Sequence, residues 1–350
     1  MNIEPTSKFN LESISLKSEI ILASKSNKKI EIVVVPKLKN KLSHQKNVGI
    51  KLDEKVILTI LSNHYSNVIV TQINTQNDLN NLLMRKPDLV LSGVKYFNFG
   101  DKELWLNDFL DLHKIAYIAS SRKALDCESD KSRAKDIVQK AGIMTAQYFS
   151  TSPGEHADEA SIPLLFPLFV KPITGGDSRG IDANSIVNDF KGFVAKVDQI
   201  DKTQDSRCIV ETYLAGKEYS VGIFQNSGDG ELITMPIEII AEKNRNGQRI
   251  LDFSAKSNNT EAVIAVIDNR ISVQLSNIAK AAFLALGGKA FGRIDIKMNH
   301  NSIPHFVEAN LMPGLLKGYF YRSCLINLKL SYEEMIIKIT DNALSNNKLS

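Results

Sequence analysis

Short apolar runs separated by helical stretches dominate the first third of the chain. The runs rich in β-branched residues, which are typical of buried strands, lie at 30–35, 67–73 and 88–94. Helices are predicted between them, at 53–64 and 75–86. Strands separated by helices of about ten residues indicate βαβ units and a parallel sheet. Residues 1–122 are therefore predicted to form a doubly wound α/β domain.

The pattern changes beyond this domain. Residues 119–130 predict a linker, and Lys131–Lys140 predicts a helix that ends before Gly142. After Pro153 the chain alternates between strands and glycine-rich turns, notably at 168–181 and 208–224. This texture indicates a second, mainly antiparallel α+β unit.

A third unit follows, beginning with a long helix and ending with two strands. The apolar residues at helical spacing are Leu275, Ile278, Ala282 and Leu286. The helix is expected to end at Gly287 and to precede strands at 292–298 and 305–311. We predict a division into 1–122, 123–224 and 225–350, with a frayed tail after Asp341.

Composition narrows the function classes. Of 350 residues, 43% are hydrophobic and 23% charged, which is typical of a globular protein. The net charge of +4 is small and spread along the chain, so nucleic acid is not an expected partner. No apolar run approaches the roughly 20 residues of a membrane span, and the first thirty residues do not resemble a secretory signal. The cysteines, odd in number and widely separated, indicate reduced thiols and a cytoplasmic location.

Two polar pairs near the end of the chain carry the strongest chemical signal. Arg293 and Asp295 lie two apart on one predicted strand, as Glu308 and Asn310 do on the next, so each pair shares one face. If the strands are neighbours, these side chains supply the hard oxygen ligands that Mg²⁺ prefers. An ordinary half-exposed hairpin with surface charges shows the same alternation and is the alternative.

A glycine-rich segment, TGGDSRG at 174–180, directly follows the predicted strand LFVKP. Its flexible backbone N–H groups suit phosphate oxygens, although it matches neither the P-loop nor the dinucleotide fingerprint, and a plain hairpin turn is the alternative. Lys171 stands where the strand enters this loop. A lysine buried there needs an anion as its partner, whereas an exposed edge position does not.

Five segments in chain order resemble the ATP-grasp superfamily and, within it, the D-alanine–D-alanine ligase family. They are SDKSRAKDIVQKAGI (129–143), FVKPITGGDSRG (169–180), VETYLAGKEYSVGIF (210–224), the AK pair at 255–256, and GRIDIK…VEANLMPG (292–314). The last is the most specific. The resemblance implies a three-lobed ATP-grasp fold, α/β and α+β in class, with an N-terminal Rossmann-like pre-ATP-grasp domain.

The resemblance also implies roles for individual residues. The nucleotide-binding set is Lys135, Lys171, the loop glycines Gly175, Gly176 and Gly180, Glu211 with the backbone through Leu214 at the adenine, and Glu218 at the ribose. The metal-binding set is Asp295, Glu308 and Asn310, and the catalytic set is Arg293, Lys256 and Ser178. Ordinary helix, strand and loop charges are the alternative for the charged members.

We therefore expect an ADP-forming carboxylate–amine ligase that uses ATP and one or two Mg²⁺ ions, with Mn²⁺ as an alternative. A carboxylate is a poor electrophile, so it is first converted to an acyl phosphate, which the amine attacks. Such chemistry asks the protein for positioning and charge neutralisation. The expected partners are a small carboxylate and a small amine, amino acids first among them, and relatives suggest a homodimer. The glycine loop and a second loop at 243–256 are expected to close over the site.

The chain departs from the family where substrates bind. Residues 36–54 lack the family's glycine and serine motif with its glutamate, and Asp177 replaces one of two paired serines. Residues 315–319 replace small hydroxyl residues, which favours the same reaction on another substrate. Candidates to recognise an acidic or larger acceptor are Lys317, Tyr319, Tyr321, Arg322 and Arg179, with simple packing as the alternative for Tyr319 and Phe320.

Three other functions stay open: cell-wall D-alanine–D-alanine ligase, a small-molecule kinase on the same scaffold, and an ATP-binding protein without catalysis. Formation of ADP that requires both a carboxylate and an amine separates the ligase from the kinase.

Overall fold

The computed structural model describes residues 25–34, 49–50, 52–99, 102–176, 178–226, 228–243, 247–251 and 260–346. Several features of the sequence analysis lie outside these ranges: Lys256, Asp177, most of the segment 36–54, and residues 244–246 and 252–256 of the predicted second loop.

A four-stranded parallel sheet forms the N-terminal part. Its strands are β1 (Ser26–Val34), β2 (Tyr65–Gln72), β3 (Leu89–Ser92) and β6 (Ala116–Tyr117), in the order β2-β1-β3-β6. The helices are α1 (Glu54–His64), α2 (Gln76–Arg85) and α3 (Leu106–Leu112), and a hairpin of β4 (Tyr96–Phe99) and β5 (Lys102–Trp105) precedes α3. The predicted parallel sheet built from βαβ units is confirmed.

Side-chain caps fix where the first helices begin. Asp53 accepts a hydrogen bond from the Val56 backbone N–H at 3.2 Å and starts α1. Thr75 and Asp78 form a capping box at the start of α2. That helix ends at Lys86, whose φ of +51° places it in the left-handed region directly before Pro87.

The predicted linker at 119–130 is wrong over most of its length, because Arg122–Ser129 is helix α4. Ala124, Leu125 and Cys127 are buried on it, but the charged residues between them hide the helical spacing in so short a segment. Helix α5 (Lys131–Lys140) follows at once. Asp130 caps it by accepting hydrogen bonds from the backbone N–H groups of Ser132 and Arg133, at 2.9 and 3.1 Å.

An antiparallel sheet forms the central part. Its strands are β7 (Tyr148–Thr151), β8 (Leu168–Pro172), β9 (Ile186–Val187) and β10 (Cys208–Thr212), in the order β7-β10-β8-β9. Helix α6 (Phe190–Gln204), absent from the sequence prediction, packs on this sheet through Phe193, Val197 and Ile200. The antiparallel α+β unit expected here is present.

A five-stranded antiparallel sheet forms the C-terminal part. Its strands are β11 (Glu218–Gln225), β12 (Leu232–Ile240), β13 (Ala262–Ala265), β14 (Phe291–Met298) and β15 (Pro304–Asn310), in the order β13-β12-β11-β14-β15. Because β11 pairs with β12 and β14, this sheet begins before the boundary predicted between 224 and 225. The three domain ranges stay a prediction.

The last helices are α7 (Asn269–Ala285), α8 (Tyr319–Leu328) and α9 (Tyr332–Asn346). The predicted frayed tail after Asp341 is wrong as far as Asn346, because α9 continues to that residue with Ala343 buried in the core. None of the helices in the described part of the chain combines the length and the apolar character that a membrane span requires.

Ser120 joins the N-terminal part to the C-terminal sheet. Its buried hydroxyl donates to the carbonyl of Leu311 at 3.1 Å and accepts from the N–H of Lys289 at 3.0 Å. Asn107 donates to the Ser120 carbonyl at 2.6 Å. Leu311 directly follows Asn310, the last residue of β15, so these bonds hold the end of that strand in place.

Candidate functional site

Two lysines and a glutamate form a buried charged cluster between α5, β8 and β10. The Lys171 ammonium lies 2.9 Å from Glu211 Oε1, and the Lys135 ammonium lies 3.2 Å from the same oxygen. All three residues are at most 4% exposed. Ile209 stands opposite Lys171 in the sheet, so Lys171 and Glu211 are diagonal neighbours on one face. Lys171 thus has the anionic partner that its burial requires, and that partner belongs to the protein.

The cluster shifts the pKa values of its members. Burial lowers the pKa of Lys135 to about 8, although attraction to Glu211 opposes the change. Burial would raise the pKa of Glu211, but the charges of Lys135 and Lys171 hold it below its usual value. With both lysines protonated, the cluster keeps one surplus positive charge, which attracts an anion.

Lys135 is also connected to the C-terminal sheet. Its ammonium donates to the hydroxyl of Thr145, which in turn donates to the carbonyl of Phe306 on β15 at 2.9 Å. The sequence analysis missed Thr145, because nothing in its neighbourhood distinguishes it from an ordinary loop threonine.

The glycine loop lies beside this cluster. The Lys131 ammonium donates to the carbonyl of Gly175 at 2.7 Å, which ties the loop to α5. Gly175 and Gly180 have φ values of +87° and +74°, in the left-handed region that favours glycine. Ser178 donates from its hydroxyl to the Leu251 carbonyl at 3.0 Å. The two loops that were expected to close over the site therefore touch each other at this point.

Gly180→Ala is expected to lower the free energy of unfolding by at least about 1–2 kcal/mol, the cost of a left-handed non-glycine residue. An added Cβ would also lie 2.7 Å from Cγ of the rigid Pro172 ring. Gly176→Ala is the matched control, because its φ is not in the left-handed region and no atom lies within 4 Å of its added Cβ. Urea unfolding of both variants measures the difference, and equal stabilities would contradict the expectation.

The predicted metal residues meet on β14 and β15. Asp295 stands opposite Glu308 and Arg293 opposite Asn310 in the strand register. Arg293 donates to both carboxylate oxygens of Asp295 at 2.9 Å. Ser220 donates to Asp295 at 2.6 Å, and the Asn310 amide donates weakly at 3.4 Å. Asp295 is thus held by four hydrogen bonds.

The donor set suits a magnesium ion that takes its other ligands from phosphate oxygens. Within the described residues, no three His, Cys, Asp or Glu side chains gather as a metal-binding group. The set instead combines two carboxylates with the amide of Asn310. Burial would lower the pKa of Arg293, but Asp295 and then Glu308 raise it, so Arg293 stays a cation beside these carboxylates.

One cavity joins the lysine cluster to the carboxylates. Its volume is about 80 Å³, and it is partly open to solvent. Its lining is Phe169, Lys171, Ser178, Ile181, Glu211, Thr212, Tyr213, Leu214, Glu218, Ile250, Leu251, Asp295, Lys297, Val307 and Glu308. Lys171 and Glu308 therefore face one space from two different sheets, as the ligase hypothesis requires.

Lys297 is a site residue that the sequence analysis missed. Its ammonium lies 2.9 Å from Glu218 Oε2, and both residues line the cavity. Burial would lower the pKa of Lys297, but attraction to Glu218 raises it. The signal was present in the sequence, since Lys297 continues the two-residue spacing of Arg293 and Asp295 on one face of β14.

The candidate acceptor-binding residues do not line this cavity. Tyr319 is buried and Arg322 is paired with Glu261, whereas Arg179 is exposed on the glycine loop. The exposed Lys317 lies over the ring of Tyr332, against which Tyr321 also packs. Lys256 lies outside the described residues. The geometry thus places Lys171, Glu211, Glu218, Asp295 and Glu308 around one space, with Lys135 in contact with Glu211 but not lining the cavity. The acceptor candidates do not line it.

A family model described as "D-ala D-ala ligase C-terminus" matches residues 137–341. Among curated proteins, the D-alanine–D-alanine ligases of Streptococcus pyogenes serotype M49 (strain NZ131) and serotype M3 (strain SSI-1) are each 28% identical over 238 residues. Each alignment covers 66% of this chain and 65% of the relative. The matched region thus spans just under two thirds of the length of these relatives.

Solved structures resemble the chain over most of its length. The D-alanine–D-alanine ligase of Bacillus anthracis complexed with ATP has a TM-score of 0.67 at 18% identity, covering 92% of this chain and 99% of that chain. The VanG D-Ala:D-Ser ligase of Enterococcus faecalis has a TM-score of 0.63 at 20% identity, covering 90% and 100%. At sequence identities this low, the similarity shows a shared fold only.

Proposed function

The chain belongs to the family of the D-alanine–D-alanine ligase C-terminus, and from this membership we propose that it is an ATP-dependent, ADP-forming carboxylate–amine ligase acting through an acyl phosphate. Its fold is the ATP-grasp fold predicted from the sequence, with an α/β N-terminal sheet and α+β lobes after it.

The observation that carries this proposal is the shared cavity. It has the buried Lys171 and Ser178 of the glycine loop on one side and the paired carboxylates Asp295 and Glu308 on the other. A polyphosphate needs positive charge along its length, and a divalent cation needs oxygen ligands at the far end. The cavity offers these in adjoining positions.

The residues around the cavity have different proposed roles. Lys135 and Lys171 attract the phosphates, while Glu211 holds the two ammonium groups in place. Glu218 and the backbone at Leu214 line the part of the cavity proposed for the ribose and adenine. Ser178 and its loop exclude water, which would otherwise hydrolyse an acyl phosphate.

Arg293 is the proposed donor for the oxyanion that forms when the amine attacks the acyl phosphate. It is held in advance by its two hydrogen bonds to Asp295, so little reorganisation is needed at that step. Asp295, Glu308 and Asn310 would hold Mg²⁺, or Mn²⁺ in its place. When bound, the ion neutralises charge on the transferring phosphoryl group.

Small carboxylates and amines, with amino acids first, are the proposed substrates, and a cytoplasmic setting supplies them together with ATP. A test is to screen pairs of L- and D-amino acids for ADP release, with mass spectrometry of the products. D-Alanine with itself belongs in the panel because the curated relatives are named for it. ADP release that needs no amine would favour a kinase, and no release across the panel would count against catalysis.

Nucleotide affinity is expected to fall as pH rises through about 8. Lys135 carries its charge below its pKa of about 8 and loses it above, so ATP loses one favourable charge. The dissociation constant for ATP should rise by up to about tenfold per pH unit above that value. Equilibrium binding of ATP alone measures this change in affinity, because no amine substrate is present whose own protonation would vary with pH. A constant affinity between about pH 7 and 9.5 would contradict the assignment.

A further inference from the structure

Tyr319, the first residue of α8, lies between two arginines. The guanidinium carbon of Arg293 is 5.4 Å from the centre of its ring, and that of Arg322 is 5.9 Å away. Both distances are within the range of a cation–π interaction. Tyr319 is 9% exposed and packs with Ile237, Ile239 and other apolar residues of one small core cluster. Its ring is therefore a fixed surface against which Arg293 rests.

Arg322 is fixed in turn by a buried carboxylate. Its Nη1 donates to Glu261 Oε1 at 3.0 Å, and the Glu261 side chain is 1% exposed. Arg322 also follows Tyr319 by three residues on α8, so the two side chains lie on one helix face. With its charge balanced by Glu261, Arg322 is poorly suited to bind a substrate anion.

The tyrosine stays neutral between these charges. Burial, and after it the Glu261 carboxylate, raise the pKa of Tyr319 well above its usual value. A neutral ring attracts a cation without forming an ion pair with it. The ion pair of Arg293 is therefore with Asp295 and not with Tyr319.

We propose that Glu261, Arg322 and Tyr319 are positioning residues that hold Arg293 over Asp295. This inference rests on the proposed function, because it assigns these residues to the step in which Arg293 acts. It also assigns Tyr319 and Arg322, which the sequence offered as candidates for reading an acceptor, to the support of the catalytic arginine.

Glu261→Gln is the decisive variant, because Glu261 touches Arg322 and does not hydrogen-bond to Arg293. We expect kcat to fall by about tenfold to a hundredfold, as small misplacements of a catalytic group do, while KM for ATP stays near the parental value. Tyr319→Leu should behave alike. Tyr319→Phe keeps the ring and should keep most of the parental rate.

Glu31→Gln is the matched control. Glu31 is also 1% exposed and pairs with a partly exposed arginine, Arg85, but in the N-terminal sheet away from the cavity. It should lower thermal stability as Glu261→Gln does and leave kcat unchanged. A Glu261→Gln enzyme that loses stability but keeps the parental kcat would overturn the proposal.

A second readout is independent of turnover. Hydrogen exchange at the Arg293 Nε–H, followed by NMR, reports its bond to Asp295, and Glu261→Gln should accelerate it whereas Glu31→Gln should not. Equal exchange in the parent and Glu261→Gln overturns the proposal. If the parent forms no amide from any substrate pair, the proposed function fails, and the exchange rates still decide the positioning role.

Discussion

Glu308→Gln is expected to lower the rate of ADP formation by about a thousandfold, which corresponds to about 4 kcal/mol of transition-state stabilisation. The substitution keeps the size of the side chain and removes its charge. Glu308 faces the cavity opposite Asp295, whose oxygens are already engaged by Arg293, Ser220 and Asn310. Glu308 lines the cavity together with Asp295, so loss of its charge should lower the rate more than loss of a surface charge.

The experiment measures steady-state ADP release, and its dependence on Mg²⁺ concentration, in the parent and in Glu308→Gln. Glu238→Gln is the matched control, since Glu238 lies in the same sheet, on β12, and pairs with Lys217 away from the cavity. We expect the control to keep the parental rate and magnesium dependence. A Glu308→Gln enzyme that turns over at the parental rate, at the same magnesium concentration, would remove Glu308 from the site.

The fold was predictable where local patterns decide it. The β-branched run of β1 is buried along most of its length, which is why an uninterrupted apolar segment identified it. Helix α6 was missed although Phe193, Val197 and Ile200 have helical spacing, because the strand and turn signals around it dominated the interpretation. Helix α4 was missed because three buried residues in eight give too short a pattern.

The site was predictable as residue types but not as contacts. Two-residue spacing placed Asp295 and Arg293 on one face, yet their direct hydrogen bonds depend on side-chain conformations that no spacing specifies. The need of a buried Lys171 for an anion was evident from the sequence. That Glu211, from a strand forty residues later, supplies it follows from the pairing of β8 with β10. Such long-range pairings depend on the whole sheet and cannot be predicted from either segment alone.

Glu211→Gln is expected to lower the free energy of unfolding by about 3–5 kcal/mol, the usual cost of removing one partner of a buried ion pair. Lys135 and Lys171 would be left as neighbouring buried charges with no carboxylate between them. Urea unfolding at neutral pH measures the loss. Glu155→Gln is the control, because the Glu155–Arg207 pair is exposed and should contribute no more than about 1 kcal/mol.

The pH dependence identifies the cause of that loss. A lysine whose pKa is lower in the folded than in the unfolded protein binds fewer protons when folded, so stability rises with pH between the two values. In the parent this range for Lys135 runs from about 8 up to the ordinary lysine value of 10.5. Without Glu211 the Lys135 pKa should fall further, and the rise in stability should begin at a lower pH.

The double variant Lys171→Met, Glu211→Gln separates charge from packing. If repulsion between two uncompensated ammonium groups causes the loss, removing one of them should restore part of the stability that Glu211→Gln removes. If the loss instead reflects a disturbed fit of the side chain at residue 211, the second substitution should destabilise the protein further. The double variant keeps one positive charge, on Lys135, as the parent cluster does. Restored stability without restored ATP binding would therefore indicate that the ligand needs the Lys171 ammonium itself and not only the net charge of the cluster.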